Sequence, residues 1–240
     1  MTTITSHDNA QLKEIRKLTQ RRHERERAGR FVAEGEDLLA AADAAGWEPV
    51  GRFCAAGSGL EGTEVEPKLL SQASGIASGT RAVAIYAERF TEVPLGPVCV
   101  YLHGVGDPGN IGTILRGASA FGAGSVALGP QTADPYSPKA VRASMGAVFE
   151  VPLVRIGDRP DLGQLPGTTV ALVADRGVAL AEAKLTGPVT LLVGSERDGL
   201  PAELVSGADT VARIPIANHS LNAAMAATVA LYELSRMARG

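Results

Sequence analysis

From Val98 onward the sequence alternates short apolar runs with helix-like stretches, and that alternation restricts the fold more than any other feature. VCVYLHGV, SVALG (125–129), residues 149–154, TVALVAD (169–175), VTLLVG (189–194) and residues 210–214 read as strands. Residues 110–121, 138–145, 201–205 and 220–239 read as helices, the first with Ile111, Ile114, Leu115 and Ala118 on one face. Strands separated by helices predict a mostly parallel sheet covered by helices on both faces. The last helix carries no formal charge from 220 to 232. A helix apolar nearly all round is expected to be buried, in this chain or against a second subunit.

The first ninety residues follow a different pattern. Residues 11–30 hold eight basic side chains (Lys13, Arg16, Lys17, Arg21, Arg22, Arg25, Arg27, Arg30) against three acidic ones (Glu14, Glu24, Glu26), in a helix with an arginine-rich end. The run reads either as a solvated helix face or as an arm that tracks phosphates, with Arg21, Arg22, Arg25, Arg27 and Arg30 as its candidate phosphate contacts. A strand at Phe31-Val32, a helix over 37–45, a strand over 50–54, a helix over 68–75 and an alternating strand over 81–87 make a small α/β unit. The segment 92–97 has two prolines and a glycine in six residues and reads as a linker. The expected division is a domain over 1–91, a linker over 92–97 and a second domain over 98–240.

Composition narrows the chemistry. With 45% hydrophobic and 20% charged residues, the chain is not expected to be disordered. Cys54 and Cys99 are the only cysteines and form no CxxC or Cys/His cluster, so neither a disulfide framework nor a metal site is expected. No run is apolar enough to predict a membrane span or a signal peptide, so a cytoplasmic protein is the simple expectation. The net charge is −3, so any nucleic-acid contact must come from a local basic patch.

Four segments could carry function. Gly104-Val105-Gly106-Asp107-Pro108-Gly109 matches GxGxxG, but the following strand ends Leu128-Gly129-Pro130 without the acidic residue of a dinucleotide site. Asn110 stands where a helix should start and reads as its cap, with Arg116 six residues on among Gly112, Gly117 and Ala120. Glu196 lies in a turn flanked by Gly194 and Gly199, and Ala217-Asn218-His219-Ser220 forms another turn before the last helix. Because ligands in open α/β sheets bind beyond the carboxyl ends of the strands, these two turns are expected to wall one pocket.

Taken together, NIGTILRGASAFGAGSVAL, LLVGSERDGL and IPIANHSLNAAMAATVALYE resemble, in order and spacing, the three motifs of the SpoU (TrmH-like) RNA 2′-O-ribose methyltransferases of the SPOUT class. RFVAEGEDLLAAA is similar to the entry of that family's ribosomal-protein-like RNA-binding domain. The resemblance implies S-adenosylmethionine held in a deep trefoil knot, a homodimer, and RNA, most naturally ribosomal RNA, as substrate. It places Asn110, Arg116, Glu196, Ser220 and Asn222 on the catalytic motif positions. Gly194, Ile214 and Leu221 fall on cofactor positions, and Leu128 and Gly129 join them as candidate cofactor contacts. The segment between Pro215 and Ser220 is shorter than is common in the family. Ala-Ala-Met follows Asn222 where the family usually has small β-branched residues and serine.

The implied chemistry needs neither a metal nor a nucleophilic triad. It needs alignment of a ribose hydroxyl with a sulfonium methyl, and management of the hydroxyl proton. The family assigns the base role to the arginine; a cation that anchors phosphate and stabilises a developing alkoxide is the other role open to Arg116. His103 and His219 are nearby side chains able to take a proton, and both also read as ordinary loop histidines. Two other readings stand beside this one: a non-catalytic RNA-binding or assembly protein on the same fold, and transfer RNA as the substrate.

Overall fold

The computed structural model describes residues 3–75, 79–157, 161–217 and 221–238. They divide into two compact units. The first combines Met1–Glu88 with Asp134–Phe149, and the second Arg89–Ala133 with Glu150–Gly240.

In the first unit the strands are β1 (Arg30–Glu34), β2 (Gly51–Ala55), β3 (Thr63–Val65) and β4 (Ala82–Ala87). They form one sheet in the order β1-β4-β2-β3, antiparallel except for the β2–β3 pair. The basic run is two helices, α1 (Ala10–Gln20) and α2 (Arg22–Ala28), broken at Arg21, whose backbone is extended. Asn9 caps α1 by accepting from the Gln11 and Leu12 amides, and Gly29 ends α2 in the left-handed conformation. Helices α3 (Glu36–Ala44) and α4 (Pro67–Ser74) complete the layers.

Alternation along β1 sends successive side chains to opposite faces. Val32 joins Leu12, Ile15 and Leu18 of α1, with Leu70 of α4 and Ile85 of β4, in one apolar cluster. Phe31 enters a cluster of rings, stacked on Tyr136 at 4.4 Å and within 6.0 Å of Trp47 and Phe149. The Trp47 indole donates to the Phe149 carbonyl at 2.8 Å. These rings explain why residues 134–149, which the expected boundaries left in the second domain, pack with the first unit. The segment contains α6 (Pro138–Ser144) and leads into α7 (Ala147–Glu150).

The second unit is built on a seven-stranded sheet in the order β7-β6-β5-β10-β8-β11-β9, parallel throughout. Its strands are β5 (Val98–Leu102), β6 (Ser125–Leu128), β7 (Leu153–Arg155), β8 (Thr168–Leu172), β9 (Val178–Ala179), β10 (Val189–Val193) and β11 (Thr210–Arg213). The strand expected over 149–154 is shifted, because α7 takes its first residues. β9 has no counterpart in the sequence reading, since two residues carry no periodicity.

All five residues of β10 are buried, as a central strand with both faces covered requires. On one face Leu204 and Val205 of α8 (Ala202–Gly207) pack with Tyr101, Ala171 and Leu192. The other face is covered by α5 (Pro108–Phe121) and α9 (Ala223–Met237), which pack on each other. Gly117 sets their approach: a Cβ there would lie 3.1 Å from the Thr228 hydroxyl oxygen. Gly117, one of the small residues around Arg116, thus serves helix packing.

Candidate active site

The winding runs from β5 to β6 to β7, then crosses to β8, and β10 fills the gap between β5 and β8. Such a reversal is where open α/β sheets place their ligands. A cavity of about 420 Å³ opens there, beyond the ends of β8, β10 and β11. Its walls include Gly194, Leu200, Val205, Ile214, Leu221 and the loop from Ser195 to Gly199.

Local chemistry shapes each wall. Ser195 and Gly199 exchange backbone hydrogen bonds (Ser195 N to Gly199 O 3.2 Å, Gly199 N to Ser195 O 3.1 Å), and the Ser195 hydroxyl accepts from the Asp198 amide at 3.0 Å. The loop therefore closes on itself and lifts Glu196, Arg197 and Asp198 away from the strand. It can close this tightly only because residue 194 lacks a side chain: a Cβ on Gly194 would lie 2.1 Å from the Gly199 carbonyl carbon.

The helix after β5 starts earlier than its sequence suggested. Asp107 is the cap, accepting from the Gly109 amide at 2.6 Å, with Pro108 in the first turn. Asn110 therefore stands inside the helix, and its side chain is free of capping. It donates through Nδ2 to the Glu196 carboxylate and accepts through Oδ1 from Asn222 Nδ2 at 3.2 Å. Asn222 is itself the cap of α9, accepting from the Ala224 and Met225 amides at 2.9 and 3.3 Å. One polar chain, Asn222–Asn110–Glu196, joins three segments far apart in sequence at the rim of the cavity.

The sequence profile of the SpoU rRNA Methylase family matches residues 97–232. This chain belongs to the SpoU rRNA Methylase family. A second profile, the MRM3-like substrate binding domain, matches residues 9–93. The chain is similar to an AdoMet-bound rRNA methyltransferase from Sinorhizobium meliloti, with a TM-score of 0.88, 33% identity and 98% of both chains covered. It is similar also to the SpoU methyltransferase AviRb from Streptomyces viridochromogenes in complex with AdoMet (TM-score 0.85, 28% identity, 97% of this chain and 99% of that one). The 23S rRNA (guanosine(2553)-2′-O)-methyltransferase of Bacillus subtilis is 26% identical over 98% of this chain and 99% of its own length. The match to a 23S rRNA (uridine(2479)-2′-O)-methyltransferase of Streptomyces viridochromogenes is 39% identical over 54% of this chain, and spans only 49% of that relative.

Within this SpoU chain the expected site residues fall in several places. Asn110, Glu196 and Asn222 meet, and Gly194, Ile214 and Leu221 line the cavity. Ser220 and His219 lie outside the described residues. Arg116 is exposed and makes no hydrogen bond or ion pair with any described residue. Six residues along α5 carry it about 9 Å from Asn110 along the axis and about 120° around it. Leu128 and Gly129 do not line the cavity, because β5 stands between β6 and β10. Gly129 has a different constraint: a Cβ there would lie 2.3 Å from the Tyr101 hydroxyl oxygen. The sequence reading missed the end of β8, where Ala174, Asp175 and Arg176 line the cavity. The polar end of TVALVAD was its only signal.

The basic arm also needs correction. Arg25 is 4% exposed, pairs with Asp134 at 2.7 Å and donates to the Leu18 carbonyl at 2.6 Å, so it serves the fold and is closed to RNA. Arg22, Arg27 and Arg30 are paired with Glu26, Glu24 and Glu14, and Arg21 is exposed. Replacing Arg21, Arg22 and Arg27 together with Gln is expected to weaken RNA binding and flatten its salt dependence, measured by titration at several ionic strengths. Arg25→Gln should instead lower stability by about 3–5 kcal/mol in denaturant unfolding, because Asp134 is left buried and unpaired. An unchanged salt slope in the triple variant would make the run a solvated face.

Proposed function

We propose that this chain is an S-adenosylmethionine-dependent RNA 2′-O-ribose methyltransferase acting on ribosomal RNA as a homodimer, in the cytoplasm. The observation that carries the reading is the Asn222–Asn110–Glu196 chain at the cavity rim. The cavity suits the cofactor. Val205, Ile214 and Leu221 offer apolar contact to a purine, strand-end backbone groups offer hydrogen bonds, and carboxylates at Asp175, Glu196 and Asp198 complement a cation. When bound, S-adenosylmethionine supplies a methyl group on a sulfonium sulfur.

The protein's own part is alignment and charge. Glu196 is held by Asn110, and Asn110 by Asn222, so the three amide and carboxylate groups are tied to the start of α9. The Arg116 guanidinium supplies positive charge for an RNA phosphate and for the oxygen that loses its proton. Its exposure on α5 beside α9 fits a site completed at a subunit boundary. On α9, Met225 and Tyr232 are 57% and 54% exposed, and Val229 lies between them on the same face. An apolar stripe of this kind supports the dimer. A deep trefoil knot belongs to the same reading. The two relatives named as 23S rRNA methyltransferases, with the substrate-domain profile, favour ribosomal over transfer RNA.

Isothermal titration with S-adenosylhomocysteine and mapping of ribose methylation in total RNA, with and without the gene, test the activity. One ribosomal ribose should lose its methyl group in the deletion strain. A protein that binds RNA but not the cofactor, and whose loss leaves every ribose methyl in place, would be an assembly factor instead. Sedimentation should give about twice the 24.8 kDa chain mass. A monomer that still transfers methyl groups would refute the dimer.

A further inference from the structure

The order of the strand ends divides the site into two sides. The cavity extends from β10 across β8 to β11, so the cofactor side is taken. On the other side of Glu196 lie the ends of β5 and β6, and two features there have no role in the scheme above.

The first is a tyrosine–histidine pair. Tyr101 and His103 stand two residues apart and face the same side, with Tyr101 Oη 3.1 Å from His103 Nδ1. The tyrosine is buried and the histidine half-buried. Gly129, just after β6, leaves the space the tyrosine hydroxyl occupies. Burial pushes the Tyr101 hydroxyl up to about 12 and holds the imidazole below the ordinary histidine value. A buried hydroxyl hydrogen without an acceptor is costly, and Nδ1 is the partner the described residues provide. We therefore assign the hydroxyl as donor and Nδ1 as acceptor, which leaves the ring proton on Nε2. The His103 amide donates to the Val193 carbonyl at 2.9 Å, so its backbone is tied to the end of β10.

The second feature is Gln131. It has φ of +58°, a left-handed backbone that a non-glycine residue adopts at a cost, and its side chain is exposed. The turn around it is clamped on both sides. The Gly104 amide donates to the Pro130 carbonyl at 3.0 Å, the Thr132 hydroxyl to the Leu102 carbonyl at 3.0 Å, and the Ala133 amide to the Val105 carbonyl at 2.9 Å. Strained residues held this firmly concentrate at ligand sites. Two strand spacings, about 10 Å, separate the end of β6 from that of β10. That is about the span of a single nucleotide, measured from the end of β10.

We propose that His103 and Gln131 form the subsite that reads the target nucleobase, on the opposite side of the acceptor ribose from the cofactor. His103 offers an Nε2–H donor to a base carbonyl or ring nitrogen, and the Gln131 amide offers one donor and one acceptor. Tyr101 is a positioning residue that locks the imidazole tautomer. The inference rests on the methyltransferase reading of the site.

The test uses the full chain and the RNA fragment containing its mapped methylation site, with the target base native or substituted. His103→Ala and Gln131→Ala should each raise KM for the RNA about tenfold, the scale of losing a base-edge contact, and narrow the discrimination between native and substituted base. S-adenosylhomocysteine affinity should be unchanged. Gln131→Gly relieves the left-handed strain, so it should melt higher than wild type and yet show the same kinetic loss as Gln131→Ala. Tyr101→Phe should shift the imidazole nitrogen NMR signals from the single Nε2–H tautomer toward a mixture, with an intermediate rise in KM. Wild-type KM and base discrimination in both His103→Ala and Gln131→Ala would overturn the subsite. A loss in Gln131→Ala that Gln131→Gly restores would overturn the role of its side chain. Failure of the wild-type chain to bind S-adenosylhomocysteine is a separate outcome, and would remove the methyltransferase reading itself.

Discussion

Arg116→Ala is expected to slow single-turnover methyl transfer on the order of 10²–10³-fold, the usual loss when one transition-state charge stabiliser is removed. S-adenosylmethionine affinity should hardly move. Arg116 is exposed and unpaired among the described residues, so its removal should change stability by no more than about 0.5 kcal/mol. The rate is then a clean readout. Arg116→Lys separates the possible roles. Lysine keeps the charge but loses the planar fork. It should restore part of the rate if charge near a phosphate or alkoxide is the main requirement. It should restore almost none if bidentate geometry or proton abstraction by the guanidine is required. An alanine variant that methylates at the wild-type rate would return Arg116 to the ordinary surface.

The second large effect is expected at Gly194. A methyl group there cannot coexist with the Ser195–Gly199 closure, because its carbon would lie 2.1 Å from the Gly199 carbonyl carbon and 2.3 Å from the Leu200 nitrogen. Both clashing groups are backbone, so no rotamer change relieves them. The loop must open, and with it the cavity wall that carries Glu196. Overpacking of this kind costs about 1–3 kcal/mol. If that strain is relieved by displacing the loop, S-adenosylhomocysteine affinity of Gly194→Ala should fall about 10- to 100-fold. The melting temperature should fall less than for a substitution in β10. Calorimetric titration beside a thermal melt gives both quantities. Wild-type cofactor affinity in this variant would mean that the loop is not part of the cofactor site.

Much of this protein is legible in its sequence. The parallel sheet followed from apolar runs alternating with helical ones, because a strand buried on both faces is mostly apolar and its few polar side chains, such as Thr190, must be hydrogen-bonded. The two turns at 194–199 and 217–220 were expected to share one pocket, since turns at the carboxyl ends of parallel strands lie on one edge of the sheet, whereas the grouping of Asn110 with Glu196 and Asn222 came only from the family resemblance. Other features depended on partners that no local pattern names. Arg25 looked like its neighbours in the basic run, and only Asp134, over a hundred residues away, makes it a buried structural arginine. Residues 134–149 read as part of the second domain until the rings of Phe31, Trp47, Tyr136 and Phe149 were placed together. Asn110 read as a cap because asparagine favours that position, but Asp107 takes it and leaves the Asn110 amide to Glu196. Gly129 read as a cofactor contact, and the structure gives its space to the Tyr101 hydroxyl. Periodicity and spacing record which face of an element is buried and which residue types lie near a turn. Which side chain meets which across the sheet is a property of the packed chain, and it is there that the hydrogen-bonded rim and the tyrosine–histidine pair were decided.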